Sequence, residues 1–263
     1  AARSLRSCAE TAFGRLPHIL INSHYHNDHI WGNQVFVPEA LIMSCSRTRQ
    51  LMATDGAEEV TWNTAHAGRR LDDARSAYAE TANEQERSEA EIWVRYYEST
   101  LDTLPHLSVT LPSVTFSNRL ELHGARHTAA LITYENAHTG SDTILHLRRE
   151  GIIFMGDLLF VRCHPYLADG DPLQLLTSLR EISQLGAAHF VPGHGPLGTS
   201  DDVRLMIAYI ESGLDTARAL VRRGGELEKR IAELPVPLAF SEWRASKFYR
   251  SNISFLCAWL SSR

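Results

Sequence analysis

The chain has 263 residues, 44% of them hydrophobic and 22% charged, which excludes a disordered or fibrous chain and leaves an ordinary globular protein. Its formal net charge is 26 − 31 = −5, which argues against a general binder of nucleic-acid phosphates. No apolar run approaches the ~20 residues that a helix needs to cross a bilayer, so no membrane role is expected.

At this length a single domain over residues 1–263, carrying one insertion, is the expectation. The four cysteines, Cys8, Cys45, Cys163 and Cys257, are far apart and lack C-x-x-C spacing. They read as free thiols in a reducing, cytoplasmic compartment. Cys163 lies six residues after Asp157 and reads as a small buried side chain.

Residues 3–13 form a helix candidate, stopped by Gly14. The apolar run at 17–22 reads as a short buried strand. His24, His26, Asp28 and His29 follow it within six residues. In an extended segment, side chains at i, i+2 and i+4 share a face, so His24, His26 and Asp28 are expected to point one way and His29 another. A lone histidine after a strand is usually a surface or satisfied core residue. Four metal-competent residues in one window are a much stronger signal. Such donors suit a borderline divalent ion, zinc first, with iron or manganese also admissible.

Residues 34–37 and 40–43 read as short strands separated by Pro38. Between 46 and 104 the strand signals stop, and no Pro or Gly occurs from Leu71 to Leu101. This stretch is expected to be one long helix or two, with Trp62, Tyr78, Ile92, Trp93, Tyr96, Tyr97 and Leu101 as its buried stripe. Two roles are open to it: a packing arm or homodimer contact, or a flap over a site. From Pro105 on, short runs at 111–116, 120–123, 130–134, 143–147 and 151–155 suit an antiparallel sheet. His123, His127 and His146 read as surface or second-layer residues.

Asp171-Pro172 caps a helix whose apolar residues, Leu173, Leu176, Leu179, Ile182 and Leu185, recur every three positions. A strand at 188–191 leads into Pro192-Gly193-His194. Ser200-Asp201-Asp202 is expected to cap a second amphipathic helix, ended by Gly224-Gly225. A helical tail over about 200–263 closes the chain, its last helix running from about 242 to 260.

The pattern H-x-H-x-D-H at 24–29 resembles the signature of the metallo-β-lactamase superfamily. Ala137-His138-Thr139-Gly140-Ser141-Asp142, Phe154-Met155-Gly156-Asp157 and Val191-Pro192-Gly193-His194 are similar to its later motifs, in the same order. The resemblance covers about 15–60 and 110–200. It implies an α+β fold, the αββα sandwich with a helical insertion at about 46–104, and it implies that the N-terminal strands of that sandwich lie outside this sequence. It further implies two zinc ions, one on His24, His26 and His138, the other on Asp28, His29 and His194, with Asp157 bridging and Asp28 also orienting the nucleophile.

The implied activity is hydrolysis of a carbonyl ester, thioester, lactone or amide-type bond in a small molecule by a shared hydroxide. An aspartate at 157 resembles the thioesterase and lactonase branches more than the true β-lactamases. A hydroxyacylglutathione substrate would need cations such as Arg244, Lys247 and Arg250, which read more simply as a solvated helix face. The alternative on the same scaffold is a mononuclear iron oxidoreductase of the persulfide-dioxygenase type. A third reading is a truncated, non-catalytic member.

Overall fold

The computed structural model describes residues 2–263. The chain divides into two compact units, residues 1–117 and 118–263. Among the described residues no helix is long and apolar enough to cross a membrane.

The first unit opens with α1 (Ala2–Phe13), then β1 (Ile19–Ile21) and the single turn α2 (Asn27–Ile30). The expected strand at 34–37 is absent: Asn33–Val35 is a 3-10 turn. β2 (Leu41–Cys45) follows, and then α3 (Ser46–Ala53), α4 (Asp55–Glu80) and α5 (Glu84–Thr103). The insertion is therefore helical, as its composition predicts. α4 ends at Glu80, with Thr81 as its C-cap, and Asn83 caps the start of α5, accepting bonds from the Gln85 and Glu86 amides. Gly56 and Gly68 interrupt nothing, since both lie inside α4. The buried stripe is Ala67, Leu71, Ala74 and Tyr97, with Trp93, Tyr96 and Leu101 packed on it; Trp62, expected there, is exposed.

β3 (Val114–Phe116) closes the unit's sheet, in the order β1-β2-β3. Both pairings are parallel, Ile19 opposite Leu41 and Met43 opposite Val114. The run at 111–116 thus belongs to a parallel sheet and not to the antiparallel one. Parallel neighbours need a long crossover, and here α3, α4 and α5 are that crossover.

The second unit holds a five-stranded sheet of β4 (Arg119–His123), β5 (Thr128–Tyr134), β6 (Asp142–Leu147), β7 (Ile152–Phe160) and β8 (His189–His194), in that order. The first three pairings are antiparallel; β7 and β8 are parallel, joined through α6 (Pro172–Ser183). His123 and His127 are exposed, whereas His146 is buried in β6, where burial, then Arg148 and Arg119, hold its imidazole below the usual range. Asp171 caps α6 as expected, accepting from the Leu173 and Gln174 amides with Pro172 in the first turn. Its buried face is Leu175, Leu176, Leu179 and Ile182, while Leu173 is 41% exposed. A strict repeat of three cannot stay on one face, because each step falls about 60° short of a full turn.

α7 (Ser200–Arg223), α8 (Leu227–Ala232) and α9 (Lys247–Ser261) complete the unit. The cap of α7 is Thr199, in a reciprocal box with Asp202, one residue before the expected position. Val203, Met206, Ile210 and Leu214 of α7 join Leu179 and Ile182 of α6, and Ile144, Ile153 and Met155 of the sheet, in the main core.

A polar cluster sits inside that core. Asn252 donates to the Tyr209 hydroxyl at 3.2 Å and to the Pro165 carbonyl at 2.7 Å. The same Tyr209 hydroxyl lies 3.0 Å from His164 Nδ1, within hydrogen-bond distance. Tyr209, Trp243 and Tyr249 ring the imidazole, and His164 is fully buried. Burial pushes His164 down to about 4. The unfolded chain therefore binds a proton here that the native state refuses. Native stability should be full above about pH 6.5 and fall as the pH drops through 4, by about 3 kcal/mol from this group. Urea midpoints at pH 7.5 and 4.5 should differ less in His164→Gln than in the parent; equal differences would show that His164 does not contribute.

Candidate functional site

Each unit carries a set of metal-competent side chains, built by different local means. In the first, β1 ends at Ile21 and the chain turns through residues 22–33. A reciprocal amide pair pins the base of that loop: Asn22 Nδ2 donates to Asn33 Oδ1 at 2.9 Å and Asn33 Nδ2 to Asn22 Oδ1 at 3.0 Å. Asn22 also donates to the His29 carbonyl, and Asn33 to that of Thr110. Both asparagines are buried, so these bonds replace water they have lost.

Inside the loop, Ser23 Oγ lies 3.0 Å from His24 Nδ1, which orients the ring and leaves Nε2 as the presented nitrogen. The His24 and His26 rings meet edge to face, 4.7 Å apart, with donor atoms within 4.8 Å of each other. Asp28 does not follow them along an extended chain. His26 is the N-cap of α2, so Asp28 and His29 sit on a helical turn. Asp28 Oδ2 lies 3.2 Å from His29 Nε2, and the His29 ring packs 4.3 Å from that of His24 rather than pointing away.

In the second unit, His138 lies in the loop between β5 and β6. Asp142 holds that loop. Its Oδ2 accepts from the amides of His138 and Thr139, both at 2.9 Å, and its Oδ1 from the Thr139 hydroxyl at 2.9 Å. Gly170 lets a neighbouring turn close on the same loop, since a Cβ there would stand 1.9 Å from the Ala137 carbonyl oxygen. Asp142→Asn keeps the shape but turns one acceptor into a donor facing a donor. We expect a loss of about 2 kcal/mol in urea unfolding. A midpoint equal to the parent's would show that the loop holds itself.

Asp157 is not at a strand end. It lies within β7, just after a register irregularity at Gly156, whose φ is +52°. Its side chain is 4% exposed, and Oδ2 stands 3.6 Å from His138 Nε2 and 3.3 Å from His194 Nε2. One carboxylate oxygen thus lies between two imidazoles. His194 ends β8, and its ring stacks on Phe160 at 5.2 Å. A Cβ on Gly193 would stand 1.8 Å from Asp157 Oδ1, so that glycine leaves the room the carboxylate occupies. The second unit therefore brings together its three expected residues. Sequence reading missed Ser23, Asn22, Asn33 and Asp142 as supports. Asp142 lies inside a quoted motif and the other three flank the 24–29 pattern, and a polar residue beside a metal-type histidine is the signal that would have found them.

The donor set, imidazole nitrogens with carboxylate oxygens, fits a divalent ion. The model of the metallo-β-lactamase superfamily matches residues 14–194. No functionally curated protein matches the sequence. Among solved structures, the chain is similar to the metallo-β-lactamase from Pontibacter korlensis, with a TM-score of 0.56 and 14% identity over 80% of this chain and 76% of that one. It is also similar to the metallo-β-lactamase FIM-1 from Pseudomonas aeruginosa, solved in the mono-zinc form, with a TM-score of 0.51 and 13% identity over 80% of this chain and 73% of that one. These likenesses show the α+β fold of the metallo-β-lactamase type, with a helical insertion. With the family's model matching well over half its length, this chain belongs to the metallo-β-lactamase superfamily.

Proposed function

We propose that the chain is a metal-dependent hydrolase that uses two zinc ions to cleave a carbonyl ester, thioester, lactone or amide-type bond in a small molecule. His24, His26, Asp28, His29, His138, Asp157 and His194 are the donors. The observation that carries this reading is the single Asp157 oxygen within 3.6 Å of His138 Nε2 and 3.3 Å of His194 Nε2, the arrangement of a shared anionic ligand. The mono-zinc form of the Pseudomonas protein makes zinc the metal to test first.

Bound divalent zinc supplies Lewis acidity toward a carbonyl oxygen and makes water acidic enough to react near neutral pH. The chain's own residues supply the rest. Ser23 fixes the ring of His24, and Asp142 fixes the loop of His138. Asp28, with its side chain 38% exposed and its Oδ2 3.2 Å from His29 Nε2, is the carboxylate placed to orient a water and take up its proton.

Metal analysis of the purified protein, followed by a panel of an ester, a lactone, a thioester and a β-lactam, tests the proposal. We expect two zinc equivalents per chain. We expect turnover that chelation abolishes and added zinc restores. One iron per chain with oxygen consumption would overturn it in favour of oxidoreductase chemistry.

A further inference from the structure

A cavity of about 540 Å³ lies in the first unit, large enough for a small molecule. Asp28, His29 and Tyr96 of α5 are all among the residues that line it. The insertion is thus part of the wall around two of the candidate metal donors. Asn27, the residue before Asp28, donates from Nδ2 to the Tyr96 hydroxyl oxygen at 2.9 Å. A phenol that accepts through its oxygen directs its own proton elsewhere. Tyr96 is therefore held in place by one hydrogen bond and has a second to give.

We propose that Tyr96 is a substrate-positioning residue, donating its phenolic proton to the carbonyl group of a neutral ester whose hydrocarbon acyl arm lies in this cavity. The substrate class rests on the hydrolase reading above; the pocket and the donor rest on the first unit's geometry. The apolar part of the wall is Leu20, Trp31 and Phe36, which suits a hydrocarbon arm. The charged lining is Arg3, Asp28 and Asp102, one cation to two carboxylates. Such a wall repels polyanionic acyl carriers and accepts an uncharged ester. Asn27 is 5% exposed, so its amide is a rigid tether, and it orients the phenol at the same turn that carries Asp28.

The test uses ethyl phenylacetate and three proteins: the parent, Tyr96→Phe and, as a packing control, Tyr97→Phe. Tyr97 is a neighbour on α5 that packs against Trp93 and Tyr96 and does not line the cavity. Binding is first titrated on metal-depleted protein by tryptophan fluorescence, Trp31 being in the wall. We expect Tyr96→Phe to bind roughly 5- to 10-fold more weakly than the parent, the value of one neutral hydrogen bond, with binding by Tyr97→Phe unchanged; the melting temperature of Tyr96→Phe should fall, since the buried Asn27 amide loses its acceptor. With zinc restored, KM for Tyr96→Phe should rise by a similar factor while kcat changes less. Equal binding by Tyr96→Phe and the parent, or no binding by the parent, overturns the assignment. If the binding difference is found but the zinc-loaded parent does not hydrolyse the ester, the pocket stands and the hydrolase reading falls.

Discussion

Asp157→Asn is expected to lose one of two zinc equivalents and to hydrolyse substrate at least ~10²-fold more slowly than the parent. The carboxylate is buried, and its Oδ2 stands between the imidazoles of His138 and His194. Asparagine keeps the shape but removes a negative charge and one anionic oxygen. Two divalent ions in a buried pocket bring four positive charges, and each carboxylate withdrawn leaves them less well balanced. The ion that depends on Asp157 most should leave first, while the histidines retain the other. A purely structural Asp157, capping a turn, predicts a loss of about 1 kcal/mol with unchanged metal. Plasma emission spectrometry on dialysed protein, with turnover on the same sample, separates the two. Two retained equivalents with normal turnover would sink the dinuclear reading.

Gly193→Ala is expected to approach the effect of Asp157→Asn without replacing any proposed donor. The added Cβ would stand 1.8 Å from Asp157 Oδ1, 3.0 Å from its Cγ and 2.9 Å from the Gly156 carbonyl carbon. None of these atoms is the far end of a flexible chain. Gly156 is held by its register with Pro192, and the carboxylate by its two imidazole neighbours. The methyl group must therefore move β8 or turn the carboxylate away. Overpacking of this kind costs about 1–3 kcal/mol, and a displacement near 1 Å at a ligand costs on the order of 10²-fold in rate. Gly68→Ala is the matched control. It lies inside α4 with nothing within 4 Å of its Cβ, and should be neutral or slightly stabilising, since glycine in a helix interior costs roughly 0.5–1 kcal/mol. Metal content and melting temperature, measured on both, check the pair. Parent-like zinc binding and turnover in Gly193→Ala would show that β8 yields without cost.

The amino-acid sequence by itself determined the features whose causes are local. Asp171-Pro172 starts a helix because the cap's carboxylate accepts from the amides two and three residues on. The stretch free of Pro and Gly from Leu71 to Leu101 is helical on both sides of Asn83, because nothing breaks the ladder except the break that Asn83 itself caps. The seven proposed donors were legible because metal-competent residues crowd into short windows, His24 to His29 above all.

Tertiary structure decided whatever depends on a partner far along the chain. The face α6 buries follows the sheet it packs on, which is why Leu175 is inside and Leu173 outside. Residues 34–37 have the composition of a strand but form a 3-10 turn, with Asn33 bonded back to Asn22. Asp28 left the extended face of His24 because a helical turn begins at Asn27. Asn27 meets Tyr96 across 69 residues, and His164 meets Tyr209 across 45. No periodicity encodes such pairs. A hydrogen bond between distant residues is chosen only when packing has removed water from both, and that desolvation exists only in the folded chain.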